Sequence, residues 1–202
     1  ADDLQAIAAD HPNLQIERLD VLDHAMIDSL AEKLSDLPID VLLNNAAILG
    51  EPNDQNFGSL DYDLFARVMA TNVYGPLKMA EAFTDHVERS NQKKIFAITS
   101  AQGSITMLRG SGIVIYNTSK AALNMSMRST AMALKPRGIT VALISPGAVD
   151  TDMMNLALDR AGIKFPLLEA ANSAAMVIDM IDNYGLDMTG TFRSHDDEEY
   201  PW

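Results

Sequence analysis

Tyr116 and Lys120 stand four residues apart in YNTSK, at the start of an uninterrupted helical pattern, YNTSKAALNMSMRSTAMAL. Residues at i and i+4 share a helix face. A free tyrosine titrates near ~10. A cation on the same face favours the phenolate and lowers that value, giving a proton donor or acceptor nearer neutral pH. Tyr74 and Lys78 repeat the spacing in YGPLK, but Gly75 and Pro76 lie inside that copy and disturb its geometry, so only the 116–120 pair reads as functional. Ser100 ends an apolar run. Its hydroxyl either satisfies a strand end or donates to a substrate carbonyl oxygen as negative charge develops. No GxSxG elbow surrounds it, so it does not read as a nucleophile. Asn72, in ATNVYG, lies in a helical pattern that disfavours asparagine. Its amide serves either a packing hydrogen bond or an amide or water relay.

The elements that position these residues alternate. Residues 14–19 (LQIERL) alternate like a strand. Residues 23–37 read as a helix stopped by Pro38. IDVLL (39–43), KIFAIT (94–99) and ITVALIS (139–145) are apolar runs of the kind buried on both faces. Ser59 or Asp61 caps a long helical region to about Arg89, bent near Gly75-Pro76. Residues 116–134 and 167–184 are further helices, and TGTF (189–192) a short last strand. Strands alternating with helices predict an α/β fold with a mainly parallel sheet. Ligands of such sheets bind beyond the carboxyl ends of the strands. Those ends carry LDV (19–21), NNAA (44–47), TSAQG (99–103) and SPGAVDT (145–151). NNAA is a hydrogen-bond knot or a ligand-facing turn. Pro146-Gly147 is a rigid turn with the Thr151 hydroxyl nearby. Asp20 caps a helix or accepts from a ligand amine.

Composition narrows the function. The 202 residues suffice for one domain, and 48% hydrophobic against 21% charged is ordinary for a globular chain. With 15 Lys and Arg against 28 Asp and Glu, the net charge of −13 opposes nucleic-acid and membrane-surface binding. There is no cysteine, which excludes thiolate catalysis, disulfides and Cys-type zinc sites. His11, His24, His86 and His195 are scattered and read as surface residues, and no metal site is assigned. Twelve methionines serve core packing or an apolar substrate wall. The expected address is the cytoplasm.

Together the segments LDV (19–21), NNAA (44–47), Asn72, Ser100 with YxxxK (116–120) and SPGAVDTDM (145–153) resemble the short-chain dehydrogenase/reductase family, over residues 1–202. GSI (103–105), SKAALNM (119–125) and the GTFRSHDDEEYPW ending resemble its C-factor or carbonyl-reductase-like branch. The resemblance implies a single Rossmann-type, doubly wound domain that moves hydride between NAD or NADP and a carbonyl or alcohol. It makes Tyr116 the general acid or base and gives Lys120 the tasks of lowering its pKa and holding the nicotinamide ribose. Ser100 polarises the substrate oxygen, and Asn72 holds a relay water. Asp20 and Val21 meet the adenine, Asn45 and Ala46 the adenosine ribose, and Pro146, Gly147, Val149 and Thr151 the nicotinamide. A homodimer or homotetramer is implied, pairing helices 61–89 and 116–134. The alternative is a non-catalytic binding or signalling protein on the same fold.

Two departures stand out. Ala47 replaces the family's glycine, at a cost of about 1 kcal/mol if that position needs a positive φ. No glycine precedes Gly50, so no GxxxGxG turn reads as a pyrophosphate cradle, and nothing before residue 19 reads as the first βαβ unit. The expectation is an N-terminally incomplete domain that binds NAD(P)H poorly as it stands, with 39–43 exposed as a bare apolar edge.

Overall fold

The computed structural model describes residues 2–202; Ala1 lies outside them. Four strands form one parallel sheet in the order β1 (Val41–Asn44), β2 (Lys94–Ile98), β3 (Thr140–Ser145), β4 (Phe192–Ser194). Seven α-helices accompany them among the described residues: α1 (Asp2–Asp10), α2 (His24–Lys33), α3 (Tyr62–Met69), α4 (Gly75–Glu88), α5 (Val114–Leu134), α6 (Asp152–Ala161) and α7 (Ala170–Asn183).

The continuous apolar runs become strands because both faces of the sheet are covered. Ile95, Ala97, Val141 and Leu143 pack with Ile27 and Ala31 of α2, Phe83 and Val87 of α4, and Leu123 and Met127 of α5. Phe96, Ala142 and Ile144 point the other way, onto Val177, Met180 and Ile181 of α7 and onto Tyr184. This is the Rossmann-type single-domain layering expected from the sequence. β1 pairs with β2 alone among the described residues, and Leu43 on it is exposed. No α-helix of the described residues is long and apolar enough to cross a membrane.

Several boundaries differ from the sequence pattern. Residues 14–19 form no strand. Leu14 and Ile16 are exposed, only Leu19 reaches the core, and no strand ladder holds the segment. The last strand begins at Phe192, because Leu186–Met188 make a 3₁₀ turn and Gly190 turns at φ +83°. Residues 167–169 precede α7, and Leu168 instead forms a parallel bridge with Val149. α2 stops at Lys33, ahead of Pro38. α6 had no counterpart in the pattern. The region from 61 to 89 is two helices separated by a π turn, Ala70–Tyr74. Pro76 explains the break: it has no N–H for the carbonyl of Asn72 four residues earlier, and its ring crowds that carbonyl. Ala47 does not take a positive φ, so the alanine there carries no conformational cost.

Phe96 is fully buried between β1 and β3 and meets Tyr184 edge-on, with ring centroids 5.2 Å apart. Phe96→Ala is expected to lower unfolding stability by about 3–5 kcal/mol, read as a lower midpoint in urea at unchanged m.

Candidate active site

The carboxyl ends of β2 and β3 are tied together. Ala101 donates its backbone N–H to the Ser145 hydroxyl at 3.2 Å, and Thr99 donates its own to the Ile144 carbonyl at 2.9 Å. From this platform Ser100 opens a 3₁₀ turn, Ala101–Gly103, and its hydroxyl accepts from the Gln102 N–H at 3.2 Å.

α5 lies directly on that turn. Gly103 allows the contact, because a Cβ there would stand 2.9 Å from the Lys120 carbonyl carbon and 2.8 Å from the Asn124 amide. Asn124 locks the approach: its Oδ1 accepts from the Thr99 hydroxyl at 2.7 Å and its Nδ2 donates to the Gly103 carbonyl at 3.2 Å. Tyr116 and Lys120, one turn apart on α5, are thereby brought beside Ser100.

The electrostatics differ from the sequence expectation. Burial pushes the Tyr116 phenol up, and the Ser100 hydroxyl hydrogen-bonded to it works the other way. Lys120 sits 5.7 Å from the centre of the Tyr116 ring, but it does not make that phenol acidic here. The reason is shared desolvation: both charged forms are costly in the interior. Lys120 is 2% exposed, and burial pushes it down to about 8. Its Nζ donates to the Ile98 carbonyl at 3.0 Å. An ammonium has three donors, so two remain for a ligand.

Asn72 is buried in the π turn. Its amide spans the loop after β1, accepting from the Ile48 N–H and donating to the Ile48 carbonyl, each at 2.9 Å. The same Nδ2 donates to the Ser119 hydroxyl at 3.0 Å, and Ser119 donates to the Tyr116 carbonyl at 2.8 Å. The two donors of the amide are both used in these contacts.

Two contributors escaped the sequence reading. Ser119 lies inside YNTSK, where a small hydroxyl directly before the motif lysine is the available signal. Gln55 lies in GEPNDQNFG, where no periodicity marks it. It is fully buried, and its Oε1 accepts from the Tyr116 N–H at 2.9 Å.

The expected cofactor residues fall into two groups. Val21, Asn45 and Ala46 line a cavity of about 200 Å³ with Leu19, Leu43, Asn44, Pro76 and Met79. Asp20, beside Val21, is exposed and its carboxylate accepts from the Leu22 N–H at 2.9 Å. The second group follows β3. The Pro146 carbonyl accepts from the Ser173 hydroxyl at 2.7 Å, and Gly147 turns at φ +85° against Leu168 and His195. Val149 bridges to Leu168, and the Thr151 hydroxyl caps α6 by accepting from the Met154 N–H at 3.2 Å.

A family model described as enoyl-(acyl carrier protein) reductase matches residues 1–177. The chain belongs to the short-chain dehydrogenase/reductase family. Among relatives in this family, the C-signal of Myxococcus xanthus is 33% identical over 165 residues, covering 82% of this chain and 93% of that protein. The carbonyl reductase Sniffer of D. melanogaster superposes with a TM-score of 0.88 at 25% identity, covering 100% of this chain and 83% of its own. An NADPH-bound carbonyl reductase from chicken fatty liver superposes with a TM-score of 0.87 at 28% identity, covering 100% and 82%.

The buried ammonium yields a pH test. Below pH 8 Lys120 is charged in both folded and unfolded states, and the folded state bears its full desolvation cost. Between about 8 and the ordinary lysine value of 10.5 the folded protein releases the proton first, so that cost fades as pH rises. Lys120→Met is therefore expected to be more stable than the parent by about 1–3 kcal/mol at pH 7. The advantage should shrink toward pH 10.5 when the two proteins are unfolded in urea side by side.

Proposed function

We propose that the protein is an NAD(P)-dependent oxidoreductase that interconverts a small-molecule carbonyl and its alcohol, with Tyr116 as general acid or base. The single observation that carries this is the half-buried Tyr116 phenol with the Ser100 hydroxyl beside it, one helical turn from a buried ammonium. A phenol kept protonated is the form that an acid in carbonyl reduction needs. Family membership and the likeness to an NADPH-bound carbonyl reductase support the same reading.

The chain's residues fit a nicotinamide dinucleotide. The two unused donors of Lys120 suit a ribose diol beside Tyr116. Val21, Asn45 and Ala46 line a cavity below the ~300–1,000 Å³ of whole-ligand pockets, which suits one end of an extended ligand, with Asp20 at its edge. Pro146, Gly147, Val149 and Thr151 would border the nicotinamide. When bound, that group supplies the hydride. The protein's tasks are then positional and electrostatic. Ser100 donates to the carbonyl oxygen and orients it. Tyr116 gives its phenolic proton to that oxygen as negative charge develops, and takes it back in the oxidative direction. Lys120 holds the ribose. Asn72 anchors the helix carrying both. A cytoplasmic homo-oligomer belongs to the same proposal.

A second reading, a signalling or binding protein without turnover, is favoured by one observation, the 33% identity to a protein named C-signal. One assay separates the two. Full-length protein is offered a panel of carbonyls with each reduced nicotinamide, beside Tyr116→Phe. The parent is expected to oxidise the nicotinamide, and Tyr116→Phe to lose at least about 10²-fold in kcat. Equal turnover in Tyr116→Phe removes the acid, and no turnover in a parent that binds the nucleotide supports the signalling reading.

A further inference from the structure

We propose that Gln55 is the positioning residue that sets the height of Tyr116 above the strand tips, an inference that rests on Tyr116 being the acid. α5 has no cap of its own. Its N-cap position is Ile113, held in the left-handed region at φ +48°, and no side chain of that residue caps the helix. The first N–H groups of a helix lack intrahelical partners. At Tyr116 that vacancy is filled from 61 residues away, by the Gln55 Oε1 at 2.9 Å.

Gln55 is itself fixed. It is fully buried at the end of a 3₁₀ turn, Pro52–Gln55, and its Nε2 donates to the Leu49 carbonyl at 2.8 Å and more loosely to the Glu51 carbonyl at 3.4 Å. Leu49 follows Ile48, whose N–H and carbonyl are both held by Asn72. Gly50, at φ +79°, presses this loop onto Leu64 of α3, and Leu64 and Val68 pack with Ile115. The Tyr116 peptide is thus gripped at both ends. Its N–H goes to Gln55, and its carbonyl goes through Ser119 to Asn72. One short loop after β1 feeds both grips, so the helix turn that carries the phenol cannot shift without breaking these hydrogen bonds.

The test is kinetic, with full-length protein. Gln55→Met keeps the length of the side chain and removes all three hydrogen bonds. It should lower kcat about tenfold while nucleotide Kd stays within about twofold, because the acid is displaced and the nucleotide contacts are not. Gln55→Glu supplies the rescue. As a neutral acid it donates to the Leu49 carbonyl and accepts from the Tyr116 N–H. Ionised, it faces the Leu49 carbonyl with no proton to give. It should therefore approach parental kcat at pH 6 and lose it as pH rises, adding a limb to the pH profile that the parent lacks. Unchanged kcat in Gln55→Met overturns the proposal. So does a loss that tracks the folded fraction by near-UV circular dichroism with no recovery in Gln55→Glu. Tyr116→Phe, assayed beside them, tells the two failures apart. If it alone abolishes turnover, the acid stands and the positioning role is wrong. If it retains turnover, the acid assignment is wrong and the positioning role falls with it.

Discussion

A lysine with its ammonium withdrawn from water costs free energy unless something rewards it, and Lys120 is held by one strand carbonyl and no carboxylate. Its neighbour, the half-buried Tyr116, is costly to ionise for the same reason. The ammonium is out of reach of solvent and the phenol only half open to it, so each group's protonation answers to whatever enters the space beside it. This is the arrangement expected where a proton is to be moved rather than where a fold is to be strengthened. The stability that the site lacks is supplied by the two-sided sheet packing beneath it.

That sheet explains why the groups meet at all. Parallel strands end at one edge, and the segments following β1, β2 and β3 all leave from it. α5 is then drawn onto the β2 turn by the missing side chain of Gly103 and the double hydrogen bond of Asn124. Distances at the reacting groups are thus set by backbone contacts, which yield less than side chains do. A methyl group at position 103 would meet the Asn124 amide and the Lys120 main chain together.

What could be read in the sequence follows from this division. β2 and β3 were legible because burial on both faces leaves an unbroken apolar run. Tyr116, Lys120 and Ser100 were legible because motif spacing and strand ends carry local signals. Residues 14–19 misled because apolar alternation looks the same in an exposed extended segment as in a paired strand. α6, Asp152–Ala161, is not marked in the sequence, where the only local signal is Thr151, whose hydroxyl caps the helix. The direction of the Tyr116 shift was misjudged because spacing reports a nearby cation but not the depth at which both groups lie. Gln55 was invisible, since its meaning depends on a helix start far along the chain.

Ile113 brings these threads to a single point. A β-branched residue at positive φ is strained by about 1–3 kcal/mol and persists only where its surroundings over-determine it. A glycine or an N-capping serine would relieve the backbone or supply the missing acceptor. Here the acceptor comes from Gln55 instead, and the chain enters α5 through a left-handed turn that aims Ile115 into the Leu64–Val68 cluster and leaves Tyr116 on the adjoining face toward Ser100. The strain and the remote cap are two parts of one device. The turn sets the direction from which the helix starts, and the buried amide holds it there against relaxation.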